Sequence, residues 1–282
     1  MKKIGFFICN IVFVSIFLIS GFLFISCGEK KPILSNTNFP VGVWWWDNRL
    51  SNDYLIFASE NNVDEIYYYT SDFSQKNADF IKESNNLGIK VYWLCGEYQW
   101  LDDYNLFYKE MEKFEQFQNY QINKFEGVHI DLEPHQHPNW NSNKEELIVQ
   151  YIDFVKTITN KYKFIKFDFD LPFWLEDIIN YDEKTQEAFK YVIDYANRVF
   201  VMSYRDSAED MVNVAMEELQ YANEKAKQIF ISVETGEEED IVTYYEEGKE
   251  YLYSQIEKLD KIINQNFGLA IHHIKSWYQL KD

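Results

Sequence analysis

Gly127-Val128-His129-Ile130-Asp131-Leu132-Glu133 alternates strictly between apolar and polar side chains after its opening glycine. Side chains along a strand point alternately to opposite faces, so Val128, Ile130 and Leu132 share one face and His129, Asp131 and Glu133 the other. Seven further short runs, rich in β-branched or aromatic residues and closed by polar clusters, read as strands: 41–46, 65–70, 90–96, 166–171, 198–204, 228–234 and 268–274. Charged segments with apolar residues at helical spacing lie between them, among them 77–86, 104–124, 144–162, 185–197, 208–226 and 243–265. Eight alternating units in about 240 residues have the length and rhythm of a single-domain α/β fold, the (β/α)8 TIM barrel. An open doubly wound sheet is the alternative, but no glycine-rich phosphate loop follows the first strand. The barrel domain is expected over 40–282.

In such a barrel the reacting groups sit at the C-terminal ends of the strands. The apolar residues of 127–133 suit the helix side, which sends His129, Asp131 and Glu133 toward the barrel axis. Three polar groups aimed into an interior are costly unless they are paired or used. The same parity turns Asp168 and Asp170 inward, then Ser232 and Glu234, then Ala270 and His272, with Met202 and Tyr204 on one face of the sixth run. The expected pit therefore holds Asp131, Glu133, Asp170, Glu234, His129, His272 and Tyr204, with Asp168 and His129 deeper. Trp44 and Trp46 flank Trp45, and on an inward face near the rim they would stack on sugar rings. Tyr67, Tyr69, Trp93, Tyr98, Trp100 and Trp174 are further aromatic candidates. The acidic run 237–240 reads as a solvated loop.

The stretch 126–133, a glycine followed by polar residues at alternating positions and ending in Glu, resembles the fourth-strand motif of family 18 (chitinase-like) glycoside hydrolases. Met202-Ser203-Tyr204 resembles that family's sixth-strand Met-x-Tyr, and Trp277 follows the eighth run where the family places a sugar-floor Trp. The resemblance implies Glu133 as general acid, and Asp131 as the group that orients an N-acetyl substituent and stabilises an oxazolinium. It implies Tyr204 as a donor to the acetamide. Two positions depart from the pattern: His129 stands where the family has an acidic residue, and Arg205 where Asp or Asn is usual. Arg205, Asp170 and His272 join Trp44, Trp46 and Trp277 as expected substrate contacts. A second enzymatic reading pairs Glu133 with Glu234 as the acid/base and nucleophile of a retaining glycosidase, whose carboxyls stand about 5–5.5 Å apart. A third, a metal at His135-x-His137, is disfavoured by the flanking Pro134 and Pro138, and no cofactor or metal is called for. A non-catalytic carbohydrate-binding barrel is the competing class.

The remaining signals concern location. Lys2 and Lys3 precede an apolar run from Ile4 to Ile25 that ends at Ser26-Cys27-Gly28 and turns polar at once. This resembles a bacterial lipoprotein signal, so 1–26 is expected to be removed, Cys27 to be acylated and residues 27–39 to tether the domain to a membrane on the periplasmic or cell-surface side. An uncleaved membrane-spanning anchor is the alternative. Cys9 leaves with the signal, which leaves Cys95 without a disulfide partner. The net charge of −19 argues against nucleic acid and against an anionic membrane surface as partners. Aromatic residues make up 18% of the chain, which suits either a carbohydrate ligand or a Tyr- and Phe-rich core. A monomer is expected.

Overall fold

The computed structural model describes residue 34, residues 37–47 and residues 49–282. The expected signal and Cys27 lie outside the described residues. Eight parallel strands close into a barrel: β1 (Val41–Trp45), β2 (Glu65–Tyr69), β3 (Lys90–Cys95), β4 (Val128–Ile130), β5 (Phe167–Pro172), β8 (Arg198–Met202), β9 (Gln228–Glu234) and β10 (Gly268–His272), with β10 returning to β1. The helices between them are α1 (Asn52–Glu60), α2 (Gln75–Asn86), α3 (Tyr104–Tyr120), α4 (Trp140–Lys161), α5 (Ala188–Tyr195), α6 (Ala208–Val214), α7 (Met216–Glu224) and α8 (Lys249–Ile262), with α9 (Ile274–Gln279) closing the chain. The (β/α)8 TIM barrel expected from the sequence is the fold found.

Four expected helices are shorter than their periodicity suggested: 104–124 ends at Tyr120, and the other three give way to other structure. Residues 185–197 begin not as a helix but in the antiparallel hairpin of β6 (Ile178–Tyr181) and β7 (Lys184–Glu187), and α5 starts only at Ala188. The hairpin turns on Asp182 and Glu183, both with positive φ (53° and 63°). Segment 208–226 breaks at Ala215 into α6 and α7, and 243–265 becomes helical only from Lys249, after Gly248 at φ 88°.

The alternation of the strands sorts the barrel into an outer and an inner core. Val128, Ile130, Phe169, Val201, Ile231 and Ile271 face the helices, all buried, as the parity required. Each such side chain contributes roughly 1.5–3 kcal/mol by leaving water. Inside, Trp44, Tyr67, Tyr92, Leu94, Phe200, Phe230 and Ala270 fill the middle of the barrel. They fit because Gly42 and Gly268 carry no side chain: a Cβ there would fall 2.2 Å from the Tyr67 hydroxyl and 2.2 Å from the Phe230 ring, respectively. Below this layer, at the N-terminal ends of the strands, Arg198 grips Asp168 through Nε (3.0 Å) and Nη2 (2.6 Å) and reaches Glu65 through Nη1 at 3.0 Å. Above it lies the candidate site.

Candidate active site

The end of β4 builds the centre of the site. The amide of Asp131 still pairs with the carbonyl of Cys95 on β3 (2.9 Å), and Leu132 remains buried on the helix side. Asp131 and Glu133 are therefore aimed into the mouth. Gly96 makes this possible, because a Cβ there would collide with the Asp131 carbonyl. Directly after Glu133, a single helical turn at Pro134–Gln136 brings Gln136 back so that its amide donates to Glu133 Oε2, with His135 Nε2 3.8 Å from the same oxygen. The sequence reading missed Gln136, although the turn-forming Pro134 was the available signal.

Asp170 of β5 is the hub beneath them. Its two oxygens each lie 3.0 Å from His129 Nε2, Trp44 Nε1 donates to Oδ2 at 3.3 Å, and its carbonyl accepts from Tyr151 at 3.2 Å. Asp131 hydrogen-bonds to Asp170, and the proton between them raises the Asp131 value while lowering that of Asp170. Burial first, then the charges of Asp170 and Glu133, push the Asp131 carboxyl well above the usual range. Burial likewise raises Asp170, opposed by the Trp44 hydrogen bond. Two adjacent carboxyls without a cation between them share one proton in preference to ionising together. Asp131 Oδ1 is enclosed and accepts no hydrogen bond from any described N–H or O–H group. His129 stays neutral, burial having lowered it to about 3. Tyr204 faces the same group, and burial followed by the charges of Glu234, Asp170, Asp131 and Glu133 keeps its phenol protonated.

Glu234 and His272 form a second unit on β9 and β10, which are neighbours in register. His272 Nδ1 lies 2.5 Å from Glu234 Oε2, and Glu234 Oε1 accepts from the amides of Thr235 (2.8 Å) and Gly236 (2.6 Å). Burial raises the Glu234 carboxyl, but the His272 bond and charge and the two amides outweigh it and leave it lowered. For His272 burial works downward, and the bond to Glu234 with its charge wins and raises it. Trp46 opposes that protonation: its Nε1 donates to His272 Nε2 at 2.9 Å, which requires a lone pair there.

The structure thus brings Asp131, Glu133, Asp170, Tyr204, Glu234, His272 and His129 together, and it corrects several aromatic expectations. Trp277 is fully buried on α9, packs on Phe57 (4.8 Å) and donates to Tyr253, so it lies outside the barrel and is no sugar floor. Trp44 faces inward as expected but lies beneath the mouth, buried against Asp170. Trp46 reaches the rim and meets Tyr69 at 5.5 Å. Tyr67 is buried inside the barrel, whereas Trp93 and Trp100 belong to the outer core. Arg205 turns its guanidinium to the Tyr204 carbonyl (2.7 Å) and over the Phe173 ring (4.8 Å). Asp168 belongs to the Arg198 network below. His137 bonds Asp102 (3.2 Å) while His135 turns to Glu133, so the two histidines diverge. Among the described residues no group of three or more His, Cys, Asp or Glu is arranged to hold a metal ion, and Cys95 is a buried free thiol.

No protein-family model matches the chain, and no curated protein matches it. Solved structures do share its fold. The glycoside hydrolase domain of PelA from Pseudomonas aeruginosa superposes with a TM-score of 0.50 at 9% identity, over 86% of this chain and 97% of that one. An active-site mutant of a Rhizomucor miehei β-1,3-glucanosyltransferase, in complex with laminaritriose, gives 0.50 at 10% identity, covering 83% and 86%. A putative deoxyribose-phosphate aldolase from Toxoplasma gondii ME49 gives 0.52 at 9% identity, covering 89% and 95%. Glycosidases and an aldolase share this fold, so the chemistry has to be read from the side chains.

Proposed function

We propose that the chain is a lipid-anchored glycoside hydrolase acting on a glycan that carries N-acetylhexosamine, with Glu133 as general acid and Asp131 assisting. The observation that carries this reading is the Asp131 carboxyl at the end of β4, one oxygen enclosed without a hydrogen-bond partner, set beside Asp170 and Glu133 where no lysine or arginine among the described residues bonds it. Such a group attracts an N–H donor and a developing positive charge, and an acetamide beside an anomeric carbon supplies both.

The steps follow from the positions. The acetamide N–H of the bound sugar donates to the Asp131 carboxyl, and Tyr204 donates to the acetamide oxygen. That oxygen attacks the anomeric carbon while the bond to the leaving oxygen breaks and takes the Glu133 proton. The oxazolinium so formed is stabilised by the negative charge that Asp131 and Asp170 share. Water, giving its proton back to Glu133, then opens the ring. The departure at His129 is answered by the neighbouring strand: Asp170 supplies the carboxyl that resemblance to family 18 led one to look for on β4. In this reading Glu234, its oxygens engaged by two amides and His272, orients His272 and is not a nucleophile. Trp46, Tyr69 and Arg205 contact the sugar at the rim.

The test is an assay of the purified protein beside Glu133→Gln on aryl glycosides and N-acetylated oligosaccharides. Turnover by the wild type and a loss of about 10²- to 10⁴-fold in the variant is the expected result. Binding of a glycan without release by either protein would replace the hydrolase with a carbohydrate-binding barrel. Equal activity in both would remove Glu133 from the mechanism.

A further inference from the structure

We infer that the end of the barrel opposite the site docks on an anionic phospholipid bilayer through the loops before β4 and β5. This rests on the anchor expected at Cys27. Three large apolar side chains there, Tyr120, Ile122 and Phe164, are almost wholly exposed (84%, 94% and 104%), more than any other large apolar side chain among the described residues. The two loops run side by side: the Val128 amide bonds the Lys166 carbonyl at 2.9 Å, and Lys166 pairs with Glu126. Phe164 is set in Lys161-Tyr162-Lys163-Phe164-Ile165-Lys166, and Lys124 follows Ile122. Four lysines stand against the single Glu126 across 119–126 and 160–166, in a chain of net charge −19. Lys124 and Lys163 have no ion-pair partner among the described residues. Exposed apolar tips ringed by lysines are the composition of an interfacial membrane contact.

Chain connectivity points to the same occupant. The residues after Cys27 lead into β1 at its N-terminal end, the end that carries these loops. The twelve residues 28–39 span at most about 40 Å fully extended. An acylated Cys27 therefore keeps this end within about 40 Å of the lipid, and on contact each lysine strengthens partition onto anionic headgroups roughly fivefold. The acidic remainder is repelled by the same headgroups. The barrel then stands on its N-terminal end with Asp131 and Glu133 facing away from the membrane, toward glycan outside it.

The test uses the full chain purified from bacterial membranes, with an environment-sensitive dye on Phe164→Cys and, separately, on Glu238→Cys in the loop after β9. Cys95 is buried and an acylated Cys27 has no free thiol. In vesicles containing phosphatidylglycerol the dye at 164 should shift to the blue and be quenched by spin-labelled lipid, while the dye at 238 stays in water. High salt, or Lys124→Glu with Lys163→Glu, should weaken the quenching at least fivefold. A dye at 164 as wet as that at 238 overturns the docking, as does a blue shift that needs no vesicles and grows with protein concentration, which marks pairing of two copies. The intact mass reports processing separately: a chain cleaved before Cys27 and unacylated ends the anchor reading and this orientation, whereas an anchored chain beside a wet dye ends the orientation alone.

Discussion

The barrel holds carboxylates in two layers, one below the aromatic filling and one above it. Below, Asp168 and Glu65 share the guanidinium of Arg198, and Tyr67 donates to Glu65 at 3.1 Å. Burial opposes that guanidinium's charge, but the bonds to Asp168 and the charges around it win and hold it well above its usual range. Above, Asp131, Asp170 and Glu133 face one another with no lysine or arginine bonded to them among the described residues, only His272 lending positive charge from β10, and one enclosed oxygen has no partner. The same residue type has opposite meanings in the two places. A compensated buried charge maintains the fold, whereas an uncompensated group is kept only at a cost in stability, and such cost collects at functional sites.

The difference can be broken from below. Arg198→Met removes the cation that pairs both carboxylates of the lower layer and leaves them buried and facing each other. The expected loss is about 3–5 kcal/mol of stability, read by urea unfolding. If the loss stays below about 1 kcal/mol, the lower layer is no more structural than the upper. Broken from above, the response should invert. Asp170→Asn keeps the shape and the Trp44 contact but removes the carboxylate that shares a proton with Asp131. Activity should fall about 100-fold, near 2.7 kcal/mol in the barrier, while stability stays unchanged or rises. A fall in stability matching that of Arg198→Met would make Asp170 a structural residue.

How far the two layers could be read in advance follows from what a sequence pattern encodes. Period-two alternation gives the face of a side chain, and every inward assignment on β4, β5, β9 and β10 rests on it. It does not give depth or the partner across the barrel. Trp44 was therefore on the right face but in the wrong layer, and its bond to Asp170, 126 positions away, left no local trace. Arg198 began its strand without any mark that it would face Asp168. Trp277 was misplaced for a different reason. At His273 the chain leaves strand geometry, and the His273 and Ser276 side chains cap a new helix, which carries Trp277 into the outer layer. The hairpin was hidden because its tight turn uses Asp182-Glu183 where glycine or asparagine is the usual signal.

The smallest effect separates the layers by pH. Burial and the charges of Asp170 and Glu133 raise the Asp131 carboxyl well above its ordinary value of 3.8. From about pH 4 upward the folded chain therefore keeps a proton that the unfolded chain has released, and stability falls as pH rises through that window. Asp131→Asn has no such proton. Its melting temperature should decline less than that of the wild type between pH 4 and pH 7, with the two curves meeting at the acid end. The Glu234–His272 pair titrates in both proteins and cancels to first order: the lowered Glu234 contributes stability that disappears as pH falls, and the raised His272 contributes stability that disappears as pH rises. Parallel curves would mean that Asp131 is ionised in the folded chain. The shared proton would then belong to Asp170, the flattening should appear in Asp170→Asn instead, and Asp131 would meet an acetamide as a full carboxylate from the start.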